Sequence, residues 1–197
     1  MLDDGLNRCG WATSTPDYVA YHDEELGRPL HGVRNLFERM SLEAFQSGLS
    51  WLTILRKREN FRAAFADFDP EKVAAFGEAD RARLMADAGI VRNGMKVDAT
   101  IANARATVDL RDAGTPLHEI VWAHRPPARS APASFADVPA QTPEAAALAK
   151  TLKKAGFRFV GPTTLYAGMQ ACGLVNDHLA ACPVRGRVEA LQSAVAR

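Results

Sequence analysis

Apolar residues recur along this chain at helical spacing, and several of the runs they form open on a capping residue. Val33, Leu36, Phe37, Met40 and Ala44 share one face and Gly48 follows as a stop, which predicts a helix over 33–47. Ser50 is placed to cap the next helix, whose stripe is Trp51, Ile54, Leu55, Phe61 and Phe65. Thr15-Pro16-Asp17, Asp69-Pro70-Glu71 and Thr142-Pro143-Glu144 each combine a cap, a proline at the first helical position and an early acid. Helices are therefore expected to start at all three, the first running to about Gly27 and the last stopped by Gly156. Residues 80–111 read as two helices about a tight turn at 89–94, the second burying Val97, Ile101, Ala104 and Val108. A further helix is expected over 162–172, and the proline-rich stretch 124–143 reads as an extended connector or lobe boundary.

Composition agrees with an all-α chain: alanine is abundant, and isoleucine occurs only at 54, 90, 101 and 120, too thinly for sheets of β-branched runs. With 47% hydrophobic residues in 197, the chain can close a core without obligatory disulfides or metals, which excludes disorder and low complexity. One domain over 1–185, or two small helical lobes, is expected, with 186–197 as a loosely ordered tail. Lys and Arg total 24 against 23 Asp and Glu, so global charge neither marks nor excludes a nucleic-acid binder. Local balance says more, with six basic residues against three acidic over 81–111 and four against one over 54–62. Such excesses suit a nucleic-acid backbone, and a solvated helix face explains them equally well. The acidic start and the lack of any long apolar run predict a cytoplasmic protein with no membrane partner.

Cys9 and His22 stand near the N-terminus, His178 and Cys182 near the C-terminus as H-x-x-x-C. Two thiols and two imidazoles suit one tetrahedral zinc ion with no open position, hence structural and not catalytic. The alternative is two packed histidines and two buried thiols. Cys172 reads as core. Glu43 falls at the edge of the Leu36 and Met40 stripe, where a carboxylate needs a donor, a cation or a ligand unless it reaches solvent. Tyr18, Tyr21 and His22 sit at i, i+3 and i+4, with Trp11 and Trp51 close in sequence, a set that makes either core or a pocket for a flat cation. The turn near Gly89 offers backbone N–H groups at a helix start, with Arg92 and Lys96 adding charge, a place to hold phosphate.

Taken in order, RCGW at 8–11, YVAYHDEELGRPL at 18–30, LEAFQSGLSWLTILRKRENFRAAFADFDPEKVA at 42–74, DAGIVRNGMK at 87–96, KKAGFRFVGPT at 153–163 and MQACGLVNDHLAAC at 169–182 closely resemble the 3-methyladenine DNA glycosylase I family. The resemblance implies a helix-hairpin-helix glycosylase fold with one structural zinc joining the N- and C-terminal segments through Cys9, His22, His178 and Cys182. It implies that Glu43 and Tyr21 act on the alkylated base as catalytic residues, that the base stacks on Trp51, and that Trp11 and Tyr18 stand close by. Gly48 and Leu49 match the segment that approaches the gap left in the duplex, and 87–96, with Gly89, Arg92 and Lys96, matches the hairpin that grips phosphate. The implied activity is hydrolytic release of 3-methyladenine, with 3-methylguanine as a second candidate lesion, from alkylated double-stranded DNA by a monomer that leaves an abasic site. Leu26 stands where the family's H-D-x-E-W-G run carries Trp, and Phe45 is bulkier than that block usually allows. Two other readings are a non-catalytic zinc-containing sensor of alkylated DNA, kept open by Leu26, and a hydrolase with catalytic zinc, disfavoured because four ligands saturate the ion.

Overall fold

The computed structural model describes residues 5–195. Among them are ten α-helices, three short 3-10 turns and no strand. In chain order the helices are α1 (Pro16–Glu24), α2 (Val33–Gln46), α3 (Trp51–Ala64), α4 (Pro70–Ala74), α5 (Glu78–Ala86), α6 (Gly94–Asp112), α7 (Leu117–Ala123), α8 (Pro143–Lys154), α9 (Pro162–Ala171) and α10 (Arg185–Val195). Among the described residues no helix is long and apolar enough to cross a membrane.

The expected helix starts are where the caps placed them. Ser50 accepts from the Thr53 N–H, Asp69 from Glu71 and Lys72, Thr142 from Ala145, and Asn93 from Lys96 at the head of α6. Thr15 occupies the cap position of α1, but its hydroxyl takes no capping bond. The connector is extended apart from one 3-10 turn, Phe135–Asp137.

Helix α2 lies at the centre, packed against α3, α6, α7 and α9. Leu36, Phe37, Arg39, Met40, Ser41, Leu42, Glu43, Ala44 and Phe45 are all buried, so beyond its exposed first turn this helix is enclosed on almost every side and carries two ionisable side chains inside with it. Phe45 packs at tilted ring angles against Phe61 and Phe65 in the core, so its bulk is absorbed there. After α9 the chain turns at Gly173, whose φ of +77° and contact with the Arg28 and Pro29 backbone leave no room for a side chain. That contact brings the end of α9 against the link between α1 and α2, where the Gly27 N–H donates to the Gln170 carbonyl.

Two helices lie outside the sequence expectations. Helix α7 interrupts the approach to the connector, and α10 occupies the segment expected to be a loose tail. The tail is held because Val188 is fully buried beside Cys9 and Cys182, and the Gln192 amide donates to the Gly27 and Val175 carbonyls. Between α9 and α10 the H-x-x-x-C stretch is irregular and not helical, so His178 and Cys182 are not one helical turn apart.

Candidate functional site

Helices α1, α2, α3 and α9, the connector and the 177–179 segment enclose a cavity of about 510 Å³. Trp11, Tyr18, Tyr21 and Trp51 supply aromatic walls, Glu43 a carboxylate, and Leu26, Gln46, Gln170, Asp177, Cys9 and His178 are among the other lining residues. Tyr21 and Trp51 lie 5.3 Å apart between ring centres, and Trp11 meets Tyr18 edge-on at 5.0 Å. The Trp51 indole N–H is buried with no acceptor among the described residues. All five pocket residues expected from the sequence thus line one cavity. Leu26 stands in its wall, where it takes up less of the space than an indole would.

Glu43 is 6% exposed. The solvent-reaching alternative is excluded. Burial pushes its carboxyl up to about 7, opposed by the positive charge of Arg39 one helical turn back. Burial also raises the Tyr18 and Tyr21 phenols, which stay protonated as neutral walls. A flat ring carrying positive charge would meet aromatic faces and a partly ionised acid here, whereas its neutral counterpart would gain only the stacking.

The cavity shares a wall with a second cluster. The ligand atoms of Cys9, His22 and Cys182 lie within 4.8 Å of one another, and all three residues are buried, so the group could hold a metal ion. His22 Nδ1 meets Asp23 Oδ1 at 2.7 Å, which leaves Nε2 as a lone-pair donor 3.6 Å from Cys182 Sγ. Asp23 is itself gripped by Arg8 at 2.8 Å. The Leu179 N–H donates to Cys9 Sγ at 3.4 Å, a contact that favours thiolate, but burial, helped by the neighbouring Cys182 thiol, outweighs it and pushes the Cys9 thiol up to about 11. His178 falls outside the three-atom cluster. Its ring centre is 4.7 Å from that of His22, and its Nε2 faces the His22 carbonyl at 3.4 Å. Because His178 Nδ1 pairs with Asn176 Oδ1 at 2.9 Å, its Nε2 carries a lone pair, with only another acceptor opposite. Burial lowers that imidazole to about 4, so it is neutral. The donor set therefore fits a soft divalent cation, with three ligands gathered and a fourth adjacent.

The predicted DNA-contact residues divide. Gly48 has φ of +81° and Leu49 is exposed at the end of α2, and Arg92 is exposed on the α5–α6 turn. Lys96 differs from expectation. It is buried, and its ammonium donates to the carbonyls of Phe45 at 2.9 Å and Ser47 at 2.6 Å, closing the C-terminus of α2. Gly89 also differs, because its N–H is taken by Asp87 Oδ1 at 2.7 Å while Lys57 holds its carbonyl. These bonds bring the α5–α6 turn and the Gly48-Leu49 turn together as neighbours.

Sequence reasoning missed the polar wall formed by α9 and the segment after it. Asp177 accepts from Tyr166 at 2.6 Å, Gln170 at 2.8 Å and Arg129 at 2.8 Å. The available signal was Gln170 near the end of an apolar helix and Asp177 in the Asn176-Asp177-His178 run that follows it.

Fold and pocket together define a helical receptor for a flat, positively charged ring. The methyladenine glycosylase family model matches residues 11–185, and the chain belongs to that family. It is 49% identical to DNA-3-methyladenine glycosylase 1 of Escherichia coli K12 over 180 residues, 90% of this chain and 96% of that one. It is 41% identical over 181 residues to the DNA-3-methyladenine glycosylase of Haemophilus influenzae, covering 90% and 97%. A crystal structure of 3-methyladenine DNA glycosylase I superposes with a TM-score of 0.87 at 48% identity, covering 89% of this chain and 98% of the other. The Staphylococcus aureus enzyme, solved to explain 3-methyladenine recognition, gives 0.86 at 36% identity, covering 91% and 97%.

Proposed function

We propose that this protein is a DNA base-excision repair glycosylase that hydrolyses the glycosidic bond of 3-methyladenine in alkylated duplex DNA, releasing the free base and leaving an abasic site. The observation that carries the reading is the buried Glu43 carboxyl in an aromatic-walled cavity with ample room for a purine. Methylation at N3 puts positive charge on the base and weakens its bond to the sugar, so the base leaves without full protonation by an acid. The enzyme extrudes the nucleotide, stacks the base on Trp51 beside Tyr21, Tyr18 and Trp11, and sets Glu43 against its charge while water attacks the anomeric carbon. Unmodified adenine lacks the charge that the acid and the rings favour, and its bond stays strong. Alkylation also disturbs pairing, which lowers an extrusion cost of a few kcal/mol.

Gly48 and Leu49 approach the gap left in the duplex, and Arg92 on the α5–α6 turn, acting as a helix-hairpin-helix element, grips phosphate with Lys96 and Gly89 supporting it from within. The cofactor is one zinc ion held by Cys9, His22, Cys182 and His178, the last a neutral imidazole that lies beside the three-atom cluster and would turn its Nε2 from the His22 carbonyl to the ion. Four protein ligands leave no position for water, so the ion's part is to fasten the residues around Cys9 to those around Cys182. One extruded nucleotide fills one pocket built from one chain, so the protein acts as a monomer, and its DNA substrate places it in the cytoplasm.

The test is release of free 3-methyladenine from methylated duplex DNA by the parent, Glu43→Gln and Trp51→Ala at matched folding. Release by the parent, weakened about tenfold or more in both variants, supports the pocket assignment. Tight binding to methylated DNA without release would make the protein a lesion sensor instead. Strand nicking in step with base release would refute simple hydrolysis.

A further inference from the structure

Arg39 has no place in the base-excision scheme above, yet it is 8% exposed in the middle of the central helix. Its guanidinium carbon lies 5.5 Å from the centre of the Tyr21 ring and 5.9 Å from that of Trp51. It is not among the residues lining the cavity, although both rings it covers are. One Nη2 contact, to Glu25 at 3.2 Å, anchors it, and Glu25 is shared with Arg58 at 2.9 Å. Nη1 is buried with no acceptor among the described residues. Arg39 also stands four residues before Glu43 on α2, so the two side chains leave the same face one turn apart.

A buried cation shared with a second cation on one carboxylate, and with a spare N–H, is an expensive arrangement. It is explained if the charge acts on something else nearby. The groups that face Glu43 are Tyr18 and Tyr21 from α1, Arg39 from α2 and Cys172 at the end of α9, with the uncharged Trp51 from α3. Burial raises both phenols and pushes the Cys172 thiol up to about 12, so all three are neutral near pH 7 and Arg39 alone among these groups carries charge.

We propose that Arg39 is a positioning residue for base excision: from behind the Tyr21 and Trp51 rings its guanidinium favours the charged form of the Glu43 carboxyl, the form that a cationic base requires. This rests on the functional reading above. It follows that the pocket acid is tuned by a residue that never touches the base. Met at position 39 would pack in the same space and leave Glu25 paired with Arg58, so the substitution strips the charge without stranding a partner.

The experiment titrates the Glu43 carboxyl by carbon NMR in the parent, Arg39→Met and Arg39→Lys, and measures the pH profile of kcat/KM for 3-methyladenine release in each. In Arg39→Met the Glu43 midpoint and the acid limb of the profile should both move up by about one pH unit, so that release falls roughly tenfold on the acid limb and far less at pH 8.5. Arg39→Lys should return both most of the way. Glu25→Gln, measured at a pH where the variant is shown to be folded, removes the anion that offsets Arg39 and should move the Glu43 midpoint down. An unchanged Glu43 midpoint in Arg39→Met, or a loss of rate equal at every pH and not restored by Lys, overturns the proposal. If the parent releases no base, the functional reading fails, while the NMR titration still decides whether Arg39 controls the charge of Glu43.

Discussion

Replacing Glu43 by Gln should make the protein more stable in alkali and less able to excise its base. In the unfolded chain this carboxyl titrates at an ordinary 4.5, and in the folded protein burial raises it to about 7. Below pH 4.5 the group is protonated in both states and contributes nothing to the pH dependence. Between 4.5 and 7 the unfolded chain loses the proton that the folded protein keeps, so folding becomes steadily less favourable as pH rises. Above 7 the full cost is present, about 3 kcal/mol at 1.36 kcal/mol per pH unit. Gln cannot ionise and escapes it. Its amide adds a hydrogen-bonding cost of its own, but one that is the same at every pH, and the histidines cancel because both proteins carry them. Urea unfolding of parent and Glu43→Gln at pH 4, 6 and 8 therefore reads the effect as a difference of differences. The variant should gain on the parent by about 3 kcal/mol between pH 4 and pH 8, most of it between 5 and 7. Parallel curves across that range would show that Glu43 is not desolvated, and the account of the pocket acid would fall with them.

Two other outcomes follow from contacts already described. Stripping metal from the purified protein with a chelator, or making Cys182→Ser, should lower melting temperature and base release together; loss of release with an unchanged melting temperature would point to a catalytic ion instead. Arg92→Ala should reduce the salt dependence of DNA binding by about one counterion, whereas Lys96→Met should leave that slope alone and cost roughly 1.5–3 kcal/mol of stability, because its ammonium is spent on the Phe45 and Ser47 carbonyls. A reduced salt slope for Lys96→Met would return this lysine to the DNA face.

Much of the architecture was legible because it is written locally. Ser50, Asp69 and Thr142 cap helices through bonds that span two or three residues, and α2 and α3 bury the stripes their periodicity marks. Glu43 announced itself as an acid at the edge of an apolar face. What stayed hidden depends on partners far away in sequence. Lys96 looks like any basic residue in a turn until the end of α2, about fifty residues earlier, is brought against it. Arg39 looks like a solvated charge until α1 and α3 cover it with two rings. Helix α10 buries only Val188 and Gln192 deeply beyond its first residue, too sparse a stripe to stand out, and it is fixed by carbonyls at Gly27 and Val175. The donor types of the metal cluster could be read from composition, but its meeting in space could not, and the structure draws three of the four together with His178 at its edge.

The wall shared by the pocket and the Cys9–Cys182 cluster sets an order of assembly. His22 and Cys182 are 160 residues apart, and Cys9 meets Leu179 across 170. Closing a loop of that length costs on the order of 4–5 kcal/mol in chain entropy before any contact repays it. A chain still on the ribosome that has delivered α1 to α8 has Trp11, Tyr18, Glu43 and Trp51 but lacks Gln170, Asp177 and Leu179 opposite them. Such a chain has no enclosed site for a purine, so the capacity to pull a base from the duplex arrives last, with the segment that brings Cys182 to Cys9.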